Sequence, residues 1–461
     1  MITVSNVITI DHPTGDLIRW CKQNLKLRNP EYSKKQRMHF WVGNTPEYLY
    51  LYETHGDKLV LPFGVLRNII PMINVDDLKM DFRVPEKIDY GCKIPLYDYQ
   101  EKAVEEVYWK HYGILQSPAG SGKTQMGIAL IAKLGKRALW VTHTSDLLRQ
   151  SKERAKQYMG EALLGTITEG KVNIGHGITF ATVQTMCNLD LAQYKDMWDV
   201  IIVDECHRVA GTPTAVSQFS KALNSLSARH KYGLSATVHR SDGLIQATFA
   251  LLGDVVYTVP TEAVADKIMK VGINPVPTGI GISRECLNTD GTLNYAKLIG
   301  YLAESEERNL RIVECIVANR EKPALILSDR LGHLETLMSM LPEDMREDAV
   351  MVSGKMTSKR GKAEREQAIA DMRSGVKKYL FATYSLAKEG LDVPRLERLY
   401  MVTPQKDYAV ITQAIGRIAR AAKGKAEPVA YDFVDDIQYL VKAYKKRCTT
   451  YRKNGAYFVE R

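Results

Sequence analysis

Residues 117–124 read Ser-Pro-Ala-Gly-Ser-Gly-Lys-Thr, a glycine-rich loop that ends in a lysine and a threonine. An apolar, strand-like stretch, Gly113–Gln116, comes directly before the loop, and a helix-like stretch, Thr124–Leu134, follows it. A strand, a glycine-rich turn and a helix in this order are the context that a phosphate-binding loop requires. The stretch therefore predicts an α/β fold with a nucleoside triphosphate site at the end of a strand.

In such a loop, backbone N–H groups and the N-terminus of the following helix bind phosphate oxygens. Lys123 is expected to reach the β and γ oxygens, and the Thr124 hydroxyl is expected to ligate Mg²⁺. Ser117 stands where the first glycine of the pattern usually lies. The residues predicted to contact the nucleotide here are Ser117, Ala119, Gly120, Ser121, Gly122, Lys123 and Thr124.

Short apolar runs separated by helix-like stretches fill most of the chain, and such alternation predicts parallel sheets covered by helices. The first set of predicted strands is Gly113–Gln116, Ala138–Thr142, Ile178–Ala181, Val200–Val203 and Tyr232–Leu234. The second set is Ala324–Leu327, Val350–Val352, Tyr379–Ala382, Leu399–Val402 and Pro428–Phe433. We therefore predict two α/β lobes, residues 93–271 and 272–461. The turn-rich stretch Gly272–Gly281, with Pro275 and Pro277, is the predicted linker.

Residues 1–92 differ from the rest of the chain. They combine alternating apolar segments with one helix-like stretch, and they carry 12 basic and 11 acidic residues, so they predict a small α+β domain rather than a charged tail. The aromatic side chains of this segment have two interpretations: they form the core of the small domain, or they contact DNA. These side chains are Phe40, Trp41, Tyr48 and Tyr50.

The composition is that of a globular protein, with 45% hydrophobic and 25% charged residues among 461. A net charge of +10 fits a polyanionic partner, although many enzymes carry as much. Seven scattered cysteines without a Cys-x-x-Cys pattern predict reduced thiols in the cytoplasm. No signal peptide and no long apolar run is evident, so we expect a soluble protein that does not span a membrane.

Two further clusters extend the nucleotide site. Asp204 and Glu205 follow the apolar run Val200–Val203, so Asp204 is predicted to serve the metal ion and Glu205 to orient or deprotonate the attacking water. Far along the chain, Gln413, Arg417 and Arg420 are spaced at three and four residues and are predicted to share one helical face.

These stretches, in this order, resemble the motifs of superfamily 2 helicases with a DEAD/DEAH-like ATPase core, and the likeness covers residues 93–435. The resemblance implies two RecA-like lobes, ATP and Mg²⁺ as cofactors, and Arg417 and Arg420 as stabilisers of the transferring phosphoryl group. It also implies that Gln100 contacts adenine and that Gly390 and Asp392 contact the nucleotide. His207, Ser235, Thr237 and Gln413 would couple the nucleotide to the nucleic acid.

The resemblance further implies nucleic-acid contacts in both lobes. In the first lobe they fall on Thr142, His143, Thr144, Thr182 and Gln184, where small hydroxyl groups suit phosphate oxygens. Each threonine also has the alternative interpretation of a helix N-cap. In the second lobe the implied contacts fall on Ser328 and Thr383.

The stretch Gly233–Gly243 and the stretch Glu304–Asn309 resemble the XPB, RadD and phage UvsW type of helicase. We therefore expect a monomeric, phage-encoded DNA helicase or translocase that unwinds or branch-migrates forks and Holliday junctions in the host cytoplasm, with recombination or replication proteins as possible partners. The alternatives are an RNA helicase and an ATP-gated remodelling factor that moves on DNA without separating strands.

Overall fold

The structure, a computed structural model, describes residues 1–91, 93–168, 170–238, 243–264, 268–354, 356, 358–388, 391, 393–422 and 424–459. The chain divides into two compact units, Met1–Pro118 with Gly122–Pro260 and Ala119–Ser121 with Thr261–Arg461. The predicted domain limits at residues 92 and 271 stay predictions. Among the described residues, no helix is both long and apolar enough to cross a membrane.

The N-terminal part of the first unit forms an antiparallel-rich sheet with strand order β5-β6-β2-β1-β7 and a separate ribbon of β3 and β4. The strands are β1 (Ile2–Val4), β2 (Val7–Asp11), β3 (Lys26–Arg28), β4 (Tyr48–Tyr50), β5 (Glu53–His55), β6 (Lys58–Pro62) and β7 (Leu78–Met80). The helices are α1 (Gly15–Asn24), α2 (Pro30–Arg37) and α3 (Leu66–Ile69). The core of this sheet also includes Tyr112 and Ala250, so it is packed onto the rest of the first unit.

One of the two interpretations of the N-terminal aromatic residues is wrong. Phe40, Trp41 and Tyr50 are 60%, 87% and 57% exposed, so they do not form the core of this part of the chain. The core consists mainly of aliphatic side chains such as Val4, Ile8 and Leu61, together with Phe63 and Tyr112.

The remainder of the first unit is a largely parallel sheet with strand order β11-β10-β12-β9-β13-β14-β8-β15, in which only β11 runs antiparallel to its described neighbour. The strands are β8 (Tyr112–Gln116), β9 (Ala138–Thr142), β10 (Leu164–Thr168), β11 (Lys171–Asn173), β12 (Ile178–Thr182), β13 (Val200–Asp204), β14 (His230–Ser235) and β15 (Val255–Thr258). The helices are α4 (Asp98–Tyr108), α5 (Lys123–Leu134), α6 (Ser145–Lys156), α7 (Val183–Cys187), α8 (Pro213–Asn224) and α9 (Ile245–Leu252).

The second unit is a parallel sheet with strand order β18-β19-β17-β20-β21-β16-β22. The strands are β16 (Gly272–Pro277), β17 (Ala324–Ser328), β18 (Ala349–Val352), β19 (Tyr379–Thr383), β20 (Arg398–Met401), β21 (Val429–Val434) and β22 (Tyr457–Phe458). The helices are α10 (Tyr295–Glu304), α11 (Glu306–Val317), α12 (Leu331–Ser339), α13 (Glu343–Glu347), α14 (Lys359–Ser374), α15 (Tyr384–Lys388), α16 (Tyr408–Ile418) and α17 (Gln438–Lys453). The prediction of an α/β fold with parallel sheets is confirmed.

The predicted linker Gly272–Gly281 is wrong for its first six residues, which form β16 between β21 and β22. Prolines lack the N–H that a strand donates, which made this stretch look like a turn. Pro275 and Pro277 lie beyond Gly272 and Ile273, the two residues of β16 that pair with β22. The prolines therefore occupy positions where the strand is paired on the β21 side alone.

Candidate active site

The phosphate loop joins β8 to α5 as the sequence predicts. Gly120 and Gly122 have φ angles of 83° and 81°, the left-handed conformation that glycine adopts without strain. A Cβ atom on Gly122 would also collide with Nε2 of Gln100, so both the backbone conformation and the space favour glycine at this position. The turn ends at Lys123, the first residue of α5, whose N-terminal N–H groups suit phosphate oxygens. These residues therefore fit the triphosphate of a nucleotide.

The Lys123 ammonium group faces two parts of the site. Its Nζ atom lies 3.4 Å from the carbonyl oxygen of Ser117 and 3.5 Å from that of Pro118. On the other side it lies 4.0 Å from Oε1 of Glu205. The lysine is thus held between the phosphate loop and the carboxylate that follows β13.

Asp204 is the last residue of β13 and is 5% exposed. Its Oδ2 accepts a hydrogen bond from the Ser151 hydroxyl at 3.3 Å, and its Oδ1 accepts one from the Glu205 N–H at 3.0 Å. Burial raises the pKa of Asp204 to about 7, and the neighbouring Glu205 carboxylate adds to the increase while Lys123 opposes it. A nearby cation stabilises the charged form of such a buried carboxylate. Asp204 and the Thr124 hydroxyl are therefore suitable oxygen ligands for Mg²⁺.

Glu205 has a left-handed backbone, with φ 48° and ψ 50°. A non-glycine residue in this region carries strain, and such strain is common at functional sites. Glu205 Oε2 lies 3.2 Å from Nδ1 of His207. The strained turn thus brings the Glu205 carboxylate between Lys123 and His207.

A chain of polar contacts continues from Glu205 through His207 to the end of β14. His207 Nδ1 lies 3.1 Å from the Ser235 hydroxyl, which donates to the carbonyl oxygen of Thr237 at 2.6 Å. Because the Ser235 hydrogen is used in that bond, the Ser235 oxygen accepts from His207, and the imidazole carries its proton on Nδ1. The structure therefore joins three of the four predicted coupling residues to Glu205.

Gln100 is 2% exposed and holds the start of its own helix. Its Oε1 accepts a hydrogen bond from the N–H of Tyr97 at 3.0 Å, and its Nε2 lies against Gly122. Gln100 is therefore positioned beside the phosphate loop, and its contact with adenine stays a prediction.

Two of the three threonines predicted to contact nucleic acid in the first unit, Thr144 and Thr182, are helix caps, which was the alternative interpretation. Thr144 Oγ1 accepts from the Leu147 N–H and Thr182 Oγ1 from the Thr185 N–H, both at 3.4 Å. Thr142 is fully buried and donates to the carbonyl oxygen of Thr144 at 3.0 Å. Thr142 and Thr182 are cross-strand partners at the carboxyl ends of β9 and β12, so the predicted residues do share one edge of the sheet.

His143 and Gln184 link these two strand ends. Gln184 Nε2 donates to the carbonyl oxygen of His143 at 3.1 Å. The His143 ring nitrogens make no hydrogen bond within the described residues, and burial, with Arg208 nearby, lowers the pKa of the ring to about 3. His143 is therefore neutral at physiological pH and is packed close to the Asp204–His207 turn.

In the second unit, Ser328 is fully buried, which argues against a direct phosphate contact by its hydroxyl. Its oxygen lies 3.2 Å from His333 Nδ1 and accepts from the Arg330 N–H at 3.1 Å. Asp329 and Arg330 are the exposed residues at this strand end. Thr383 is half-buried, with its hydroxyl 2.9 Å from that of Ser385. Gly390 and Asp392 lie outside the described residues.

The prediction that Arg417 and Arg420 share one helical face is wrong. Helix α16 ends at Ile418, and Arg420 instead forms an isolated antiparallel bridge with Ile268. The helix ends there because the Ala419 carbonyl accepts from the Met269 N–H at 2.7 Å. Arg417 lies within the helix with Gln413 and donates to the carbonyl oxygen of Leu391 at 3.0 Å.

Sequence reasoning missed Lys425, which lies just after these arginines. Its Nζ donates to the carbonyl oxygens of Ile418 and Arg420, both at 2.7 Å, and to that of Pro394 at 2.9 Å. Burial lowers the pKa of Lys425 to about 8. A lysine shortly after a helix C-terminus is a recognisable signal for this role, because it can bind the last carbonyl groups.

Two known domain families match the chain. Residues 93–240 match the family described as Type III restriction enzyme, res subunit, and residues 307–422 match the helicase conserved C-terminal domain. The first match includes the phosphate loop and the chain from Asp204 to Thr237. The second includes Ser328, Thr383 and Arg417.

Similar curated proteins include viral helicases and an archaeal DNA translocase. The chain is 26% identical to putative ATP-dependent RNA helicase L396 of Acanthamoeba polyphaga mimivirus, over 76% of this chain and 65% of that protein. It is 25% identical to probable helicase D10 of Escherichia phage T5, over 74% and 72%. It is 24% identical to DNA 3'-5' translocase XPB2 of Sulfurisphaera tokodaii, over 71% and 79%. The chain thus spans less than two thirds of the mimivirus relative.

Similar solved structures share the fold. One is S. cerevisiae Dbp5 bound to RNA and ADP BeF3, with 17% identity, a TM-score of 0.52, and coverage of 79% of this chain and 94% of that chain. Another is a fragment of a putative HsdR subunit of a type I restriction enzyme from Vibrio vulnificus YJ016, with 18% identity, a TM-score of 0.54, and coverage of 74% and 65%. The predicted pair of tandem RecA-like lobes is confirmed.

Proposed function

We propose that the chain is an ATP- and Mg²⁺-dependent DNA helicase or translocase of the superfamily 2 type that unwinds or branch-migrates branched DNA. The two matched domain families and the similarity to helicases and translocases support this proposal. Forks and Holliday junctions formed in recombination, replication or repair are the proposed substrates. The observation that carries the proposal is the continuous chain of contacts from Lys123 through Glu205 and His207 to Ser235. It connects the phosphate loop with the carboxyl end of β14.

Each residue of this chain has a proposed task. When bound, ATP supplies the phosphoanhydride bond whose hydrolysis drives movement. Lys123 neutralises charge on the β and γ oxygens, and Thr124 with Asp204 holds Mg²⁺. Glu205 accepts a proton from the attacking water on its carboxylate. His207, Ser235 and Thr237 then carry the change at Glu205 towards the strand ends where DNA binds.

The arginines of the second unit complete the proposal. Arg417 and Arg420 would stabilise the negative charge of the transferring phosphoryl group, which is the usual role of arginine in phosphoryl transfer. Gln413 lies on the same helix as Arg417 and would report the state of the nucleotide. Lys425 would keep the carbonyl end of α16, and therefore Arg420, in position.

The proposed DNA contacts are made by backbone and side-chain groups that are exposed at the strand ends. Because Thr144 uses its hydroxyl to cap α6, we propose that backbone N–H groups near this helix start meet DNA phosphates. In the second unit, Arg330 and Thr383 would supply the corresponding contacts. Alternate grip by the two sets would move the protein along one strand.

The test compares ATP hydrolysis by the full chain with no nucleic acid, single-stranded DNA, a forked duplex, a four-way junction and RNA. We expect the largest stimulation with branched DNA, together with ATP-dependent dissociation of the junction. Lys123→Ala should abolish both activities. Lys442→Ala, which removes an exposed lysine of α17, serves as the matched control and should retain both.

Two other outcomes of this experiment would favour a different function. Strong preference for RNA would favour an RNA helicase, a candidate supported by the similarity to the mimivirus protein, a putative ATP-dependent RNA helicase. Consumption of ATP with intact junctions would favour a translocase or remodelling factor without strand separation.

A further inference from the structure

Several large hydrophobic side chains are exposed within one short stretch that lies far from the phosphate loop in sequence. Met38, Phe40, Trp41 and Tyr50 are 47%, 60%, 87% and 57% exposed, and all belong to residues 26–50, which we call the 26–50 module. Exposed single hydrophobic residues are ordinary, but several large ones within one short module mark an interaction site. None of these side chains has a part in the proposed ATP chemistry.

The module is held in a defined shape. β3 and β4 pair antiparallel, with Lys26 opposite Tyr50 and Arg28 opposite Tyr48. The buried Asn29 ties the ribbon to α2: its N–H donates to the carbonyl oxygen of Glu47 at 2.9 Å, and its Oδ1 accepts from the Glu31 N–H at 2.9 Å. The aromatic side chains are therefore presented by an ordered framework.

Positive charge is concentrated in the module. Residues 26–50 carry five Lys or Arg and two Glu, whereas the other positions of residues 1–92 carry seven Lys or Arg and nine Asp or Glu. Lys26 Nζ lies 3.9 Å from the centre of the Tyr48 ring and 5.7 Å from that of Tyr50. Aromatic side chains placed among cations suit a nucleic acid, because its bases can stack on the aromatic rings and its phosphates can pair with the cations.

The other face of the ribbon is anchored to the ATPase. Successive side chains of a strand point to opposite faces, so Leu27 and Leu49 lie opposite the face of Lys26 and Tyr50. Leu27 and Leu49 pack against the buried cluster of Ala210, Leu244 and Ile245. Ala210 is three residues beyond His207, so the cluster on which the module packs includes a residue of the segment that follows the Asp204–His207 turn.

We propose that the 26–50 module is an accessory site for unpaired bases at a DNA branch point, an inference that rests on the proposed function. Phe40, Trp41 and Tyr50 stack on the bases, while the module's lysines and arginines neutralise nearby phosphates. Leu27 and Leu49 pack on the cluster that contains Ala210, and this packing connects the site to the chain segment that follows the Glu205–His207 turn.

Unpaired DNA fits this surface better than the two other occupants. Paired bases in a duplex keep their faces stacked on one another, so exposed aromatic side chains gain most from bases that are already unpaired. A protein partner is less suitable because lysine is depleted in protein interfaces. Three of the five basic residues of the module are lysines.

The test measures the affinity of the full chain for a labelled fork with unpaired arms and for a blunt duplex of equal length. The double variant Phe40→Ala/Trp41→Ala should weaken fork binding by about tenfold or more, because each stacked base contributes substantially. Affinity for the blunt duplex and hydrolysis of ATP without DNA should change by less than about twofold. The single variant Trp41→Phe, which keeps an aromatic ring at this position, should retain most of the fork affinity of the wild type.

Trp109→Ala is the matched control, because Trp109 is 68% exposed and lies on the first unit outside the module. Equal fork affinity in the wild type and the double variant would overturn the accessory site while leaving the helicase proposal intact, and so would an equal loss in Trp109→Ala. If the wild-type chain binds neither DNA and hydrolyses ATP without stimulation, the proposed function fails and the accessory site fails with it. Capture of a protein in place of the fork would also overturn the inference.

Discussion

The ammonium group of Lys425 donates a hydrogen bond to the carbonyl oxygen of Arg420, at 2.7 Å, from a half-buried position that also reaches the carbonyl oxygens of Ile418 and Pro394. Arg420 lies beyond the end of α16, so the helix itself does not fix it. The hydrogen bonds of Lys425 therefore hold the segment that carries this arginine in position.

Replacing Lys425 with Met should lower the kcat of DNA-stimulated ATP hydrolysis by about tenfold, because misplacing a charge-stabilising arginine affects the transition state more than the bound substrate. The KM for ATP should change little. Steady-state kinetics give both values. Equal losses in Lys425→Met and in the exposed-lysine control Lys442→Ala would contradict a positioning role.

Glu205→Gln should retain ATP and DNA binding while turnover falls by about a hundredfold or more, since general bases contribute on the order of 10²–10⁴ to rate. The amide preserves the size of the side chain but cannot accept the proton. Nucleotide affinity and single-turnover hydrolysis distinguish the two effects. Normal turnover in this variant would remove Glu205 from the reaction.

Ser235→Ala should separate ATP consumption from movement. The substitution removes the acceptor of His207 Nδ1 and the hydroxyl bonded to Thr237, but it leaves Lys123 and Glu205 in place. We expect ATP hydrolysis within about threefold of wild type and junction dissociation reduced by about tenfold. Ser235→Thr, which keeps a hydroxyl, is the matched variant and should behave closer to wild type. Proportional loss of both activities would contradict the coupling role.

Ser328→Ala and Arg330→Ala should differ. Because the Ser328 hydroxyl is buried against His333, its loss should lower the melting temperature without changing DNA affinity. Arg330 is exposed at the same strand end, so its loss should weaken binding of single-stranded DNA by about threefold to tenfold at low salt. A DNA-binding defect in Ser328→Ala alone would restore the direct contact predicted from the sequence.

Lys231 should make stability depend on pH. It is fully buried in β14 and donates to the carbonyl oxygens of Leu223 and Asn6, at 2.9 and 3.2 Å. Burial lowers the pKa of Lys231 from 10.5 to about 7, so between these values the unfolded chain binds the additional proton. Stability should therefore rise with pH across this range, with a slope approaching about 1.4 kcal/mol per pH unit.

Thermal melting of wild type and Lys231→Met between pH 7 and 9.5 tests this. The wild-type melting temperature should rise with pH relative to that of the variant, whose core holds no titratable group at this position. Parallel profiles would show that Lys231 keeps its ordinary pKa in the folded chain.

Five adjacent strands of each parallel sheet could be predicted because strands buried on both faces are continuous apolar runs, whereas β10, β11, β15, β16 and β22 were missed. The predicted Ala138–Thr142 agrees with β9 residue for residue. The phosphate loop, Asp204 and Glu205 could also be located, since each follows a strand at the edge where such sites form.

Other features depended on tertiary contacts that local sequence does not contain. A threonine after a strand is equally suited to a cap and to a ligand, so Thr142 and Thr182 could not be assigned. The end of α16 is set by the Met269 N–H, a residue about 150 positions away. The exposure of Trp41 could not be predicted either, because the pattern of aromatic residues does not show that aliphatic side chains such as Val4 and Ile8 fill the core instead.

The position of β16 has a practical consequence for expressing the second unit alone. Since β16 pairs with β21 along Gly272–Pro277, a truncated fragment that starts after Gly281 would leave the full length of β21 as an open edge. Unprotected strand edges recruit other chains and promote aggregation. A soluble fragment therefore has to begin upstream of Gly272, even though the two prolines make the following residues look like a convenient place to cut.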